Sequence, residues 1–403
     1  MTNYKLFFIF ISLFASFLIS FEPIKYVDEI LAVISFFYIL SNRKNLLPQE
    51  KKIIWCLFLL LFVGLCGTLK CRYQTGAWPI MLDSLGCSKF FLVYILSRHY
   101  VLKLSDGTKI ATINSINKFI VPFVCIAFVC GVINFFVDIG MTYEERMGFR
   151  TFRFIFSDSG HIGFLWYTVL LFLTANYMLK PRRSRLYVII MGLVVWTLTF
   201  KSRAVLFVML YVIMFYWLII KNKKLKINPI SIGFLVAFSI YITMDQIDRY
   251  FLEGNEAMPR TILMTGGLNT LIRFFPIGAG FGTYGTDVAA KFYSNLYYEL
   301  GYDKMWGLTP EEPIYAHDCY WPAIMGEFGA IGVLLELVIF YYIYKLMSID
   351  FSTNKYAKFF SFFALMTQLF ASLPTSVFFQ SNTLFFFFLL PLITINVNGS
   401  HER

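Results

Sequence analysis

Phe275-Pro276-Ile277-Gly278-Ala279-Gly280-Phe281-Gly282-Thr283-Tyr284-Gly285 is the stretch whose reading decides this chain. It contains a formal G-x-G-x-x-G at Gly280, Gly282 and Gly285. A dinucleotide fingerprint needs a preceding strand and a βαβ unit. Here the run follows a proline inside a polar interval, Asp245 to Tyr320, in a chain that is otherwise apolar, so a nicotinamide site is excluded. What remains is backbone chemistry. Gly278, Gly280 and Gly282 permit positive φ and close approach. Their N–H groups either cradle an anion or simply turn the chain back.

Outside that interval the composition is that of a membrane protein. Of 403 residues 58% are hydrophobic and only 15% charged, where a soluble domain carries about 25% charge. Apolar runs recur at about 17 to 25 residues, the thickness of a hydrocarbon core. Spans are expected at 4–21, 26–41, 53–69, 79–97, 119–138, 160–179, 186–202, 204–220, 229–246, 321–346, 357–373 and 382–396. The fourth is the weakest, because Asp83, Ser84 and Lys89 interrupt it. Lys5 followed by Leu6 to Phe21 mimics a secretory signal without a small-x-small cleavage site, and is read as a retained first span. The expected fold class is therefore an all-α polytopic membrane protein. One integral domain covers 1–403, with about twelve transmembrane helices and a large loop, 247–320, between spans 9 and 10.

The formal charge of +11 does not point to nucleic acid, because its basic residues sit largely in short loops. Arg43, Lys44, Lys51 and Lys52, then Arg98, Lys103 and Lys109, then Arg182, Arg183 and Arg185, then Lys221, Lys223, Lys224 and Lys226 mark one face. The positive-inside rule makes that face cytoplasmic and, with an even span count, places both termini there. The interval 247–320 then lies on the trans face with 70–78, 139–159 and the start of the eighth span at Arg203. Cys71 and Cys319 share that face and could pair. The other cysteines lie within apolar segments, and no two histidines have metal-ligand spacing.

Trans-side arginines resist the orientation bias, which makes them candidate ligands for phosphate or carboxylate: Arg146, Arg150, Arg153, Arg203, Arg249, Arg260 and Arg273. The bland alternative is snorkelling, or ion pairing with Glu144, Glu145, Glu253 and Glu256. Arg203 is expected in the first turn of its helix, where the dipole disfavours a cation unless an anion arrives. His317, in Tyr315-Ala-His-Asp-Cys-Tyr320, can hold or take a proton near neutral pH, with Asp318, Glu311 and Glu312 as candidate orienting acids. Glu327 and its glycines read as structural. Asp28 and Glu29 read as helix-start charge rather than a metal site. Lys89 and Glu336, at membrane depth, each require a partner or a cavity.

Ser202-Arg203 at a span boundary, a long trans loop with Arg260, then Phe275 to Gly282, His317 and Glu327-Phe-Gly together resemble the O-antigen polymerase and O-antigen ligase superfamily of bacterial inner membranes. Arg150-Thr-Phe-Arg153 is similar to an Arg-Gly-Phe type segment of the same family, although Ser157-Asp-Ser-Gly160 replaces its Asn-Pro. The resemblance implies a GT-C-like, multi-pass glycosyltransferase of the cell inner membrane. It would act on undecaprenyl-diphosphate-linked glycan donor and acceptor at the periplasmic face, without a metal or other cofactor. A chain-length regulator is a further implied partner.

The same resemblance carries catalytic roles to His317, Arg203 and Arg260. Substrate binding is then expected from Arg150, Arg153, Arg273, Gly278, Gly280, Gly282 and Tyr320. Arginines aimed at the departing diphosphate would replace Mg²⁺, and His317 would position or deprotonate the acceptor hydroxyl. The favoured expectation is repeat-unit polymerisation for lipopolysaccharide or capsule. The ligase that moves finished glycan to lipid A-core is the alternative, and a flippase or transporter a third.

Overall fold

The computed structural model describes residues 2–18, 27–146, 148–157, 159–216, 259–350 and 355–394. The expected span 229–246, Asp245 and Arg249 lie outside these residues. The described chain is mostly helical. Its α-helices are α1 (Tyr4–Leu18), α2 (Val27–Ser41), α3 (Pro48–Cys71), α4 (Ala77–Leu102), α5 (Asp106–Phe136), α6 (Ser159–Leu179), α7 (Arg183–Thr197), α8 (Ser202–Phe215), α9 (Pro259–Arg273), α10 (Asp287–Lys291), α11 (Asn295–Glu299), α12 (Tyr320–Asp350), α13 (Lys355–Ser372) and α14 (Ser381–Thr394). Every expected span other than 229–246 overlaps one of these helices within the described residues. Among the described residues, four stretches are long and apolar enough to cross a membrane: Pro48–Cys71, Ala77–Leu102, Asp106–Phe136 and Tyr320–Ile349.

Local chemistry sets the helix starts. Pro48 opens α3 and Glu50 accepts the Leu47 N–H at 2.8 Å. Ser105 caps α5 by accepting the Thr108 N–H at 3.3 Å. The surface of α3 is apolar on both sides. Trp55, Phe58, Phe62, Leu65 and Leu69 form its exposed stripe, while Ile53, Leu57, Leu60 and Val63 face inward with Glu50, Gly64, Gly67 and Thr68. Such a stripe suits lipid, not water.

Helix directions follow from paired contacts. α2 and α4 run parallel, with Lys89 on Asp28 at one level and the His99 ring edge-on to Tyr38 ten residues further along both. α3 and α4 run antiparallel, with Arg98 and His99 on Glu50 at one end. At the other end Thr68 and Asp83 both reach the glycine stretch.

The expected tenth span is not one straight rod. Gly329 adopts φ 61° and ψ −156° inside α12. Trp321 and Phe340 then have ring centroids 6.4 Å apart. Nineteen residues of unbroken helix would separate them by about 28 Å. A short arm, Tyr320 to Phe328, therefore folds back along a long arm that begins at Ala330. The long arm packs antiparallel to α3, with Lys52 over the Tyr342 ring.

One departure from an all-α fold is a two-stranded antiparallel hairpin, β1 (Thr142–Arg146) and β2 (Phe149–Phe152). It docks on the α7–α8 turn through Phe152 N–H to Leu198 O at 2.9 Å and Phe149 stacked on Phe200. Cys71 and Cys319 are both free thiols, so the possible pair does not form.

The charged residues that weakened the fourth span all find partners. Lys89 bridges to Asp28 at 2.5 Å and lies 3.9 Å from Glu29, and Ser381 donates to Asp28 at 2.8 Å. Asp28 and Glu29 lie in the first turn of α2, as expected of helix-start charges, and pair with Lys89 as well. Glu336 is fully buried, and neither of its oxygens has a hydrogen-bond partner among the described residues.

Candidate functional site

The glycine stretch is buried from Gly278 to Thr286. Its N–H groups are committed within the protein. Gly278 donates to Phe274 O, Ala279 to Gly326 O and Gly280 to Glu327 O. Phe281 donates to Thr68 Oγ1 at 2.9 Å, Gly282 to Asp83 Oδ2 at 2.8 Å and Gly285 to Tyr297 Oη at 2.8 Å. Thr283 and Tyr284 both donate to Glu327 Oε1, at 3.0 and 3.3 Å, and Thr286 Oγ1 joins them at 3.1 Å. The stretch does donate to carboxyl groups, but they are the protein's own, on Asp83 and Glu327. Gly278, Gly280 and Gly282 are therefore positioning backbone rather than an open phosphate cradle. Close approach is the reason for glycine at 280, where φ is +96° and a Cβ would sit 2.1 Å from Thr68 N.

Behind this stretch a tyrosine cluster fixes the neighbouring loops. Tyr284 Oη donates to Leu263 O at 2.7 Å and meets Tyr302 Oη at 2.8 Å. Tyr302 Oη donates to Ile262 O at 3.1 Å, and Tyr297 Oη donates to Ala316 O at 3.3 Å. Burial pushes Tyr302 up to about 12 and raises Tyr284 and Tyr297 as well, so all three stay neutral donors. They tie the first turns of α9 to the residue that precedes His317.

That clamp brings two of the expected catalytic residues together. His317 Nε2 lies 3.3 Å from Asp287 Oδ1, while Nδ1 is buried with no hydrogen-bond partner among the described residues. The next residue, Asp318, places Oδ2 3.4 Å from Arg260 Nη2. Arg260 is the second residue of α9, a first-turn position, and a carboxylate answers the cation there. Asp287, which opens α10 behind its cap Thr286, holds His317 in place of the expected Asp318, Glu311 or Glu312. The Thr-Asp helix start was readable at 286–287, but nothing in the sequence tied it to His317. Both contacts are partly exposed, with the His317 side chain 39% and the Arg260 side chain 38% accessible.

Other expected ligands are engaged elsewhere. Arg273 pairs with Glu299 at 2.8 Å and lies over the Phe274 ring. Tyr320 is fully buried between Trp321, Phe378 and Phe379, so it does not front an open site. Arg150 donates to Phe136 O at 3.3 Å, and Arg153 to Ser157 O and Gly140 O, each at 3.4 Å. Arg146 pairs with Glu144 at 2.8 Å, the bland outcome. Arg203 occupies the first turn of α8, as expected. The arginines thus fall into two groups, one around the β-hairpin and the start of α8, the other around α9 and α12. α8 packs on α7 and α13, whereas α9 packs on α12.

No known protein-family model matches this chain, and no curated protein matches it.

Proposed function

We propose that the chain polymerises lipid-diphosphate-linked oligosaccharide repeat units at the outer face of a bacterial inner membrane, by single-displacement, inverting glycosyl transfer. The observation that carries this reading is that consecutive residues tie Arg260 and His317 into one loop: Asp318 pairs with Arg260, and His317 meets Asp287. Negative charge grows on the leaving diphosphate, and a preorganised guanidinium is the largest lever available against it. Asp318 holds that guanidinium until phosphate competes for it. The imidazole, oriented by Asp287, handles the acceptor hydroxyl.

The test is in vitro extension of a lipid-diphosphate repeat by purified protein. Arg260→Ala should lose about 10²–10³ in rate. A wild-type rate in that variant would overturn the mechanism. Transfer to lipid A-core without chain growth would assign the ligase reaction instead.

One observation favours a transporter as the second reading. Asp28, Lys89, Asp83, Glu327 and Glu336 are all buried in the apolar helices, and in-membrane ionisable groups mark ion or proton paths. Their number exceeds what the sequence suggested. Flux of labelled lipid-linked glycan across proteoliposomes, with no new glycosidic bond, would support that reading.

A further inference from the structure

We propose that Asp83, Cys87 and Glu327 form a structural site for one borderline divalent cation, with zinc the best-suited ion. Asp83 and Cys87 are four residues apart on α4 and share one face of it. Glu327 comes across from the end of the short arm of α12. One donor atom from each lies within 4.8 Å of the other two, and all three residues are buried.

Glu327 supplies the observation that points to a ligand. Its Oε1 takes the two N–H donors and the Thr286 hydroxyl. Its Oε2 is buried in a residue with no exposed surface and has no hydrogen-bond partner among the described residues. An orphan acceptor in a native interior calls for an ion or an ordered water.

Charge decides between them. Two carboxylates are confined where an uncompensated charge is strongly unfavourable. With Cys87 bound as thiolate the three donors carry three negative charges, of which a divalent cation leaves one, whereas a water leaves both carboxylate charges. A proton shared between Asp83 and Glu327 would also leave one charge, but it would give the Cys87 thiol no role.

Donor chemistry then selects the ion. Calcium and magnesium take oxygen shells, whereas zinc accepts mixed sulfur and carboxylate donors, at about 2.3 Å and 2.0–2.2 Å. Binding replaces the Cys87 thiol proton, which leaves to solvent. The ion would staple α4 to the Gly329 turn and, through Gly282 and Thr283, to the glycine stretch. It would take no part at Arg260 or His317, so the proposal stands apart from the polymerase reading.

The test uses the full chain in detergent, stripped with chelator and then equilibrated with zinc or cobalt. Wild type should hold about one zinc per chain by elemental analysis and unfold at a higher temperature with zinc than without. Cobalt should give thiolate-to-metal charge-transfer absorption. Cys87→Ser should abolish that absorption and weaken zinc retention by more than about tenfold. Cys56→Ser, a thiol elsewhere on α3, should change neither. Glu327→Gln keeps an acceptor for Thr283 and Tyr284 and should also lose the metal. Absence of stoichiometric zinc in wild type would overturn the proposal. So would a Cys87→Ser protein that binds cobalt with the absorption intact.

Discussion

His317 is held by a single nitrogen, which separates its role from that of its partner. Replacing it with alanine should cost about 10²–10⁴ in the initial rate of glycan extension if it moves a proton. Asp287→Asn keeps a hydrogen-bonding group 3.3 Å from Nε2 but loses the charge, so its rate loss should be smaller than that of His317→Ala. Two residues along the chain, burial pushes the Cys319 thiol up to about 12. At pH 8 the thiolate is then only about one part in ten thousand, and rising pH is what would populate it. Maleimide should label the half-buried Cys71 in the folded protein, and Cys319 only after denaturation, as read by peptide mass spectrometry. At this scale the sequence named Arg260 and His317 because a cation and an imidazole in an external loop are conspicuous. It missed Asp287 because that carboxylate lies 30 positions from His317 and meets it only through the fold.

Among elements, the contact between the glycine stretch, α3 and the turn of α12 holds one end of the bundle. Gly280→Ala forces a Cβ against Thr68 N at a φ that L-residues disfavour, and should cost at least about 2 kcal/mol of stability. Thermal unfolding in detergent reads it directly. Glu327→Ala strands two buried N–H donors and should cost about 1–3 kcal/mol for each, whereas Glu327→Gln should retain most of that stability. The glycine spacing advertised a tight backbone approach. Whether the approach was to phosphate or to protein depended on Thr68, Asp83 and Glu327, which are distant in sequence from the stretch.

For the whole molecule, hydropathy located the helices well, because a run of apolar residues in lipid has few alternatives to a helix. The charged interruptions of α4 were harder to interpret, since their partners sit on other helices. Lys89→Met should destabilise by about 3–5 kcal/mol by leaving Asp28 buried and unpaired. Combining it with Asp28→Asn should recover a large part of that loss in chemical denaturation, which a purely local packing defect would not. The fold-back of α12 was invisible for the opposite reason: a largely apolar stretch of 30 residues, Tyr320 to Ile349, reads as one long span. Only the backbone at Gly329 divides them.

That division bears on biogenesis. A short arm of nine residues extends about 13 Å, too little to cross a bilayer unaided. During insertion it can double back only against a surface already present. Ala279 and Gly280 supply part of it by donating their N–H groups to Gly326 O at 2.8 Å and Glu327 O at 2.9 Å. The segment 276–285 leaves the ribosome first, so the order of synthesis delivers the docking surface before the arm that needs it.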